Sequence, residues 1–169
     1  MENDMKLELF ETVKDFKLPL YNEIPDMGLY LEQTTIYLKD TLKPLDCFEV
    51  TGSMIRNYVK MGLVKNPEKK LYHRDQIAHL IVITILKALI PLDIIQRFFK
   101  SQEKVYTDQA AYDYFCMEME NVLHARFGFS DGVKEIGTTN SIQKEMLKSA
   151  ITAVSNLVYV NECLKRIEE

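Results

Sequence analysis

At 169 residues, 47% hydrophobic and 27% charged, the chain can bury a sizeable core and has the profile of a globular protein. Its longest apolar run, Leu80–Ile90, is interrupted by Thr84 and Lys87 and falls short of the roughly 20 residues a bilayer span needs. Met1–Glu11 is acidic and polar, without the apolar segment of a secretory leader, so no membrane partner and a cytoplasmic location are expected.

The first fifty residues carry five basic side chains against eleven acids. Residues 7–20 show weak apolar spacing that stops at Pro19, which suits an arm or a short helix. A helical pattern then runs from about Gly28 to Thr41, carried by Leu31, Thr34/Thr35 and Leu38, and Lys43-Pro44 ends it.

The next helix is short and the most informative. Thr51 or Ser53 can cap its start, and Gly62 can supply the left-handed residue that ends it. Ile55, Tyr58, Val59 and Gly62 share one face at helical spacing, while Ser53, Arg56, Asn57 and Lys60 form an opposite face that is wholly polar. Arg and Asn suit two-point contacts to base edges, and Lys and Ser suit phosphates.

Leu63-Val64 and Leu71-Tyr72 read as two short β segments about an Asn66-Pro67 turn, with Lys65, Lys69 and Lys70 at the tip. From Arg74 to about Leu89 the pattern is apolar nearly all round, as for a helix at the centre of a core or an interface. Pro91 then suits the first turn of a helix over Leu92–Lys100. A further helix rich in Tyr, Phe and Met covers about Thr107–Phe127, and a Gly-containing stretch covers Gly128–Thr139. The last helix starts near Asn140, with Gln143 placed to complete a capping box.

Cys47, Cys116 and Cys163 stand apart from one another, and with His73, His79 and His124 they make no metal-ligand spacing. No Gly-rich phosphate loop and no nucleophile–base motif is present, so neither a catalytic activity nor a cofactor is expected. The net charge of −4 argues against nucleic acid, but its distribution argues for it. Residues 51–74 carry a net +5 and the remainder −9, a local basic patch on an acidic body.

The string MIRNYVKMGLV (54–64), followed by KKLYHRDQIAHLIVITILKALIPLDIIQRFF (69–99), resembles the MerR-type winged helix-turn-helix pattern. Aligned on Gly62-Leu63, Ile55 falls on that family's buried Leu, Arg56 on its Arg, Tyr58 on its second Tyr, and Tyr72 on the tyrosine that closes the wing. A closer resemblance, through LPLYNEIPDMGLYLEQTTIYL (18–38) and TGSMIRNYVKMGLVKNPEKKLYHRDQIAHLIVI (51–83), is to an uncharacterised bacterial domain-of-unknown-function family related to those DNA-binding domains. The wing is shorter than in MerR regulators and lacks their Gly-Tyr-Arg element, and His73 stands where a Ser or Thr cap is common.

The resemblance implies a mainly α fold: an arm (1–25), a winged helix-turn-helix domain with a short β-hairpin wing (26–103), and a helical region for dimerisation or an effector (104–169). The expected function is a homodimeric, DNA-binding transcriptional regulator. Its DNA-binding residues would be Ser53, Arg56, Asn57, Tyr58, Lys60, Lys65, Lys69, Lys70 and Arg74. The alternative is a ligand-sensing or protein-interaction module that keeps the scaffold without binding DNA, using the aromatic and Met-rich segment 106–129.

Overall fold

The computed structural model describes residues 2–169. It is mainly helical, with α1 (Glu2–Val13), α2 (Leu31–Leu42), α3 (Gly52–Lys60), α4 (Arg74–Leu86), α5 (Leu92–Gln102), α6 (Asp108–Arg126) and α7 (Ile142–Glu168). Two single 3₁₀ turns, Tyr21–Glu23 and Lys43–Leu45, lie between the first three helices.

The all-round apolar pattern of α4 has its expected consequence: ten of its thirteen residues are buried. A helix with no polar face must be enclosed, and α2, α5, α6 and α7 all pack against it. Its one internal hydroxyl, Thr84, donates to the Leu80 carbonyl at 2.7 Å, so its burial leaves no polar group unmet. α6 and α7 lie along each other within the chain.

The segment before α2 does not stand apart from the rest of the described residues. Leu9, Val13, Phe16 and Leu18 are buried in the same apolar cluster as Ile55, Ile81, Phe115 and Ile151, so one core runs from α1 to α7.

The expected β-hairpin takes a different form: no β-strand forms among the described residues. Its pairing reduces to isolated antiparallel bridges, Glu68 with Leu71 and Leu29 with Tyr72. The chain does not reverse at Asn66-Pro67, because the Gln76 side-chain amide on α4 donates to the carbonyls of Lys65 (3.1 Å) and Asn66 (2.9 Å) and holds that stretch against the helix. Reversal comes at Lys69-Lys70. Tyr72 then pairs with Leu29 in the segment before α2, not with Leu63-Val64, which is buried. Gly28 makes that approach possible: its φ is +85°, and a Cβ there would lie 3.0 Å from the Leu71 Cβ.

The last helix begins one residue later than expected. Ser141 caps α7 by accepting from the Lys144 N–H, while the Gln143 side chain donates to Ser101 on α5.

Candidate nucleic-acid interface

Helix α3 is short, so its ends decide whether it forms. The Thr51 hydroxyl accepts from the Met54 N–H at 3.1 Å, meeting one of the unpaired donors of the first turn. At the other end Gly62 adopts φ +78°. The Leu63 N–H then reaches the Tyr58 carbonyl (3.0 Å) and the Gly62 N–H reaches that of Val59 (3.0 Å), the paired closure that a left-handed residue permits. The Gln96 side chain on α5 adds a bond to the Met61 carbonyl at 3.1 Å, tying the helix end to its neighbour.

Two residues anchor α3 in the core: Ile55 at 0% and Tyr58 at 2% exposure. Burial pushes the Tyr58 hydroxyl pKa up and that of the half-buried Lys87 ammonium, which stands 6.0 Å from the Tyr58 ring centroid, down. Of the two roles open to Tyr58, phosphate contact or core brace, its burial fits the brace.

Ser53, Arg56, Asn57 and Lys60 all lie exposed on the opposite face. Asn57 donates to the sulfur of Met61, the residue that ends its helix, at 3.4 Å. Among the described residues no carboxylate forms an ion pair with Arg56 or Lys60. Arg56 is near enough to Tyr72 for its charge to offset part of the upward shift that burial imposes on the Tyr72 hydroxyl. That puts Arg56 within electrostatic range of Tyr72, two residues beyond the Lys69-Lys70 turn.

The turn itself is unusual in its residues. Glu68 and Leu71 exchange both backbone hydrogen bonds (3.1 and 2.9 Å) around Lys69 and Lys70, which take φ +49° and +68°. Two positive φ values in a two-residue reversal are the geometry for which Asn-Gly is the low-strain choice. A lysine in this region costs about 1 kcal/mol, and two consecutive lysines accept that strain. Lys65 is exposed as well, so three ammonium groups stand free on this segment.

Arg74 departs from the set. Its guanidinium donates to the carbonyls of Ile24 (3.0 Å) and Asn22 (3.4 Å), lies 3.7 Å from the Asp26 carboxylate, and sits over the Tyr21 ring at 5.6 Å. The Tyr21 hydroxyl donates to Asp75, and burial followed by that bond pushes its pKa up to about 12. Arg74 therefore fastens the chain entering α2 to the start of α4.

Sequence reasoning passed over two residues that shape this face. Gln76 accepts from the His73 N–H at 2.6 Å as well as holding the Lys65–Asn66 carbonyls, so it replaces the cap that His73 does not supply. A glutamine three residues into a helix with a weak cap is a readable signal. Gln96 gave no such signal, because its partner is a carbonyl thirty-five positions away.

Among the described residues no group of three or more His, Cys, Asp or Glu side chains is placed to hold a metal ion, and the three cysteines are free. No helix there is long and apolar enough to cross a membrane.

No curated protein and no solved structure matches the chain. Residues 19–115, more than half of its length and the stretch that contains α2 through α5, match the family described as domain of unknown function (DUF1836). The chain belongs to that family.

Proposed function

We propose that the protein is a cytoplasmic, homodimeric DNA-binding regulator in which α2–α5 act as a MerR-like winged helix-turn-helix. In this reading α3 enters the major groove, with Arg56 and Asn57 at base edges and Ser53 and Lys60 at phosphates. Lys65, Lys69 and Lys70 lie along the backbone as a minimal wing. The observation that carries the reading is the outer face of α3 together with the Lys69-Lys70 turn. Ser53, Arg56, Asn57 and Lys60 on that face are polar and exposed, and the turn accepts backbone strain to present two cations. Arg74 has no part in it.

One reading helix offers too small an interface for operator-level affinity, and two copies about one helical turn apart remedy that. The outward side of α7 suits the pairing. Ile142, Met146, Ala153, Asn156, Val160 and Ile167 are exposed and fall on the alternating 4-3 spacing of a coiled-coil seam. The 27 residues of α7 extend about 40 Å. An antiparallel pairing about its midpoint sets Ile142 of one copy against Ile167 of the other. Ala153→Arg should leave a folded monomer by light scattering. A persistent dimer would remove α7 from the interface.

The deciding experiment retains genomic fragments on the purified protein at two salt concentrations and sequences them. A two-fold symmetric motif, lost with Arg56→Ala/Lys60→Ala, is the expected result. The four lysines placed on phosphates, Lys60, Lys65, Lys69 and Lys70, should give a log–log salt slope of about −3 to −4 per module. Absence of enrichment at low salt from a folded dimer would transfer the weight to a ligand-sensing or partner-binding module on the same scaffold.

A further inference from the structure

A second site lies away from α3, where the C-terminal end of α5, the start of α6 and the N-terminus of α7 enclose a cavity of about 180 Å³. Its walls are mostly apolar, from Ala110, Ala111, Ile136 and Leu147, with the rings of Tyr106 and Tyr114 at its edges. The loop between α6 and α7 covers it. Three polar ties hold that loop down. Asn121 exchanges two hydrogen bonds with the Lys134 backbone, Lys148 pairs with Glu135 at 2.8 Å, and the Lys144 ammonium donates to the Ile136 carbonyl.

Lys144 is the exceptional member. It lines the cavity at 7% exposure and, among the described residues, forms no ion pair with any carboxylate. Its ammonium has three protons to place, and the structure gives it one carbonyl and the face of the Tyr114 ring, 5.4 Å to the centroid. Glu118, the wholly buried acid of α6, is engaged by the Tyr114 hydroxyl at 2.7 Å and by Asn121 at 3.3 Å.

Lys144 also stands in the first turn of α7, the end of a helix where the backbone already presents positive charge and a lysine is disfavoured. A buried cation at the positive end of a helix, with no carboxylate in direct ion-pair contact, is a costly arrangement that an anion would complete.

We propose that this cavity binds a small organic carboxylate, its charge on Lys144 and the α7 N-terminus and its apolar body against Ala110, Ala111 and Leu147. The volume equals about six waters of liquid. That admits a single ring or a short branched chain and excludes a nucleotide or a peptide. On binding, the carboxylate takes the Lys144 ammonium from the Ile136 carbonyl, and the covering loop is the element that responds. The proposal stands independently of DNA binding, since none of these residues belongs to the α3 face.

The test uses the full chain with benzoate as probe, with benzamide as its neutral counterpart and inorganic phosphate as an anion without an apolar body. Benzoate should raise the melting temperature, benzamide and phosphate should not, and Lys144→Gln should weaken benzoate binding at least tenfold by calorimetry. In nitrogen-15 spectra of the unmodified protein, benzoate should shift the amides of Gly137, Thr139 and Ala111. That readout holds even if the Lys144 variant fails to fold. No benzoate response, an equal response to benzamide, an equal or larger response to phosphate, full affinity in Lys144→Gln, or shifts confined to another region would each overturn the proposal.

Discussion

Helices α3 and α4 are neighbours in sequence and opposites in construction. α4 buries ten of thirteen residues and has no face to offer solvent, whereas α3 buries two of nine and leaves a whole face unused by the fold. Every position on α4 is committed to stability. On α3 the core contacts come from Ile55 and Tyr58, with Met54 and Val59 packed beside them, so the outer face can be altered at little cost to folding. The separation of the two tasks makes the proposed function testable without unfolding the protein.

The largest effect should come from α4. Leu80→Ala, at a fully buried site, should cost about 3 kcal/mol in urea unfolding; a loss below about 1 kcal/mol would mean that α4 is less enclosed than described. By contrast, Arg56→Ala/Lys60→Ala should shift stability by no more than about 0.5 kcal/mol while reducing DNA affinity more than tenfold. The turn sharpens the contrast further. Lys69→Asn/Lys70→Gly relieves two left-handed lysines, so it should raise stability by about 1 kcal/mol or more while weakening DNA binding and flattening its salt dependence. A variant that is no more stable would show that the lysines carry no strain. Thr51→Ala, which removes the α3 cap, should cost about 1 kcal/mol and is the one change expected to reduce stability and binding together.

The smallest effect concerns alkaline pH. Burial pushes the Cys116 thiol up to about 12 and the Cys47 thiol to about 11, and Tyr21 rises to about 12. The unfolded chain releases these protons near their ordinary values of 9 and 10, while the folded chain still holds them. Stability is therefore fully present below about pH 9 and is lost as pH rises toward 12. Urea midpoints of Cys116→Ala measured at about pH 8 and about pH 10.5 should fall less between the two than those of the unmodified chain.

Much of this architecture was legible in the sequence, and for local reasons. Thr51, the Ile55/Tyr58 stripe, Gly62 and the continuous apolar run of α4 all act within a turn or two of chain, which is the range that spacing reports. The failures share a different cause. The reversal moved from Asn66-Pro67 to Lys69-Lys70 because a side chain on α4 takes the carbonyls upstream, and Tyr72 found its strand-like partner at Leu29. Arg74 looked like part of a basic patch because sequence records its charge and not the two carbonyls that hold it. In α7, apolar residues occur on two sides. Spacing alone did not separate Leu147, Ile151, Val154 and Val158, which face the core, from Ile142, Met146 and Leu164, which face out.

The enclosure of α4 has a consequence for how the molecule opens. Its walls come from both the α2–α5 segment and the α6–α7 pair, so neither can detach without exposing the most apolar helix of the chain. The amide protons of α4 should therefore exchange with solvent only through opening of the entire molecule, at the rate set by global unfolding. Those of α3, held by a cap, a glycine and two side chains, can exchange through local fraying that leaves the rest intact. A fragment cut at residue 103 would leave one wall of α4 bare, and self-association is the expected fate of such a piece.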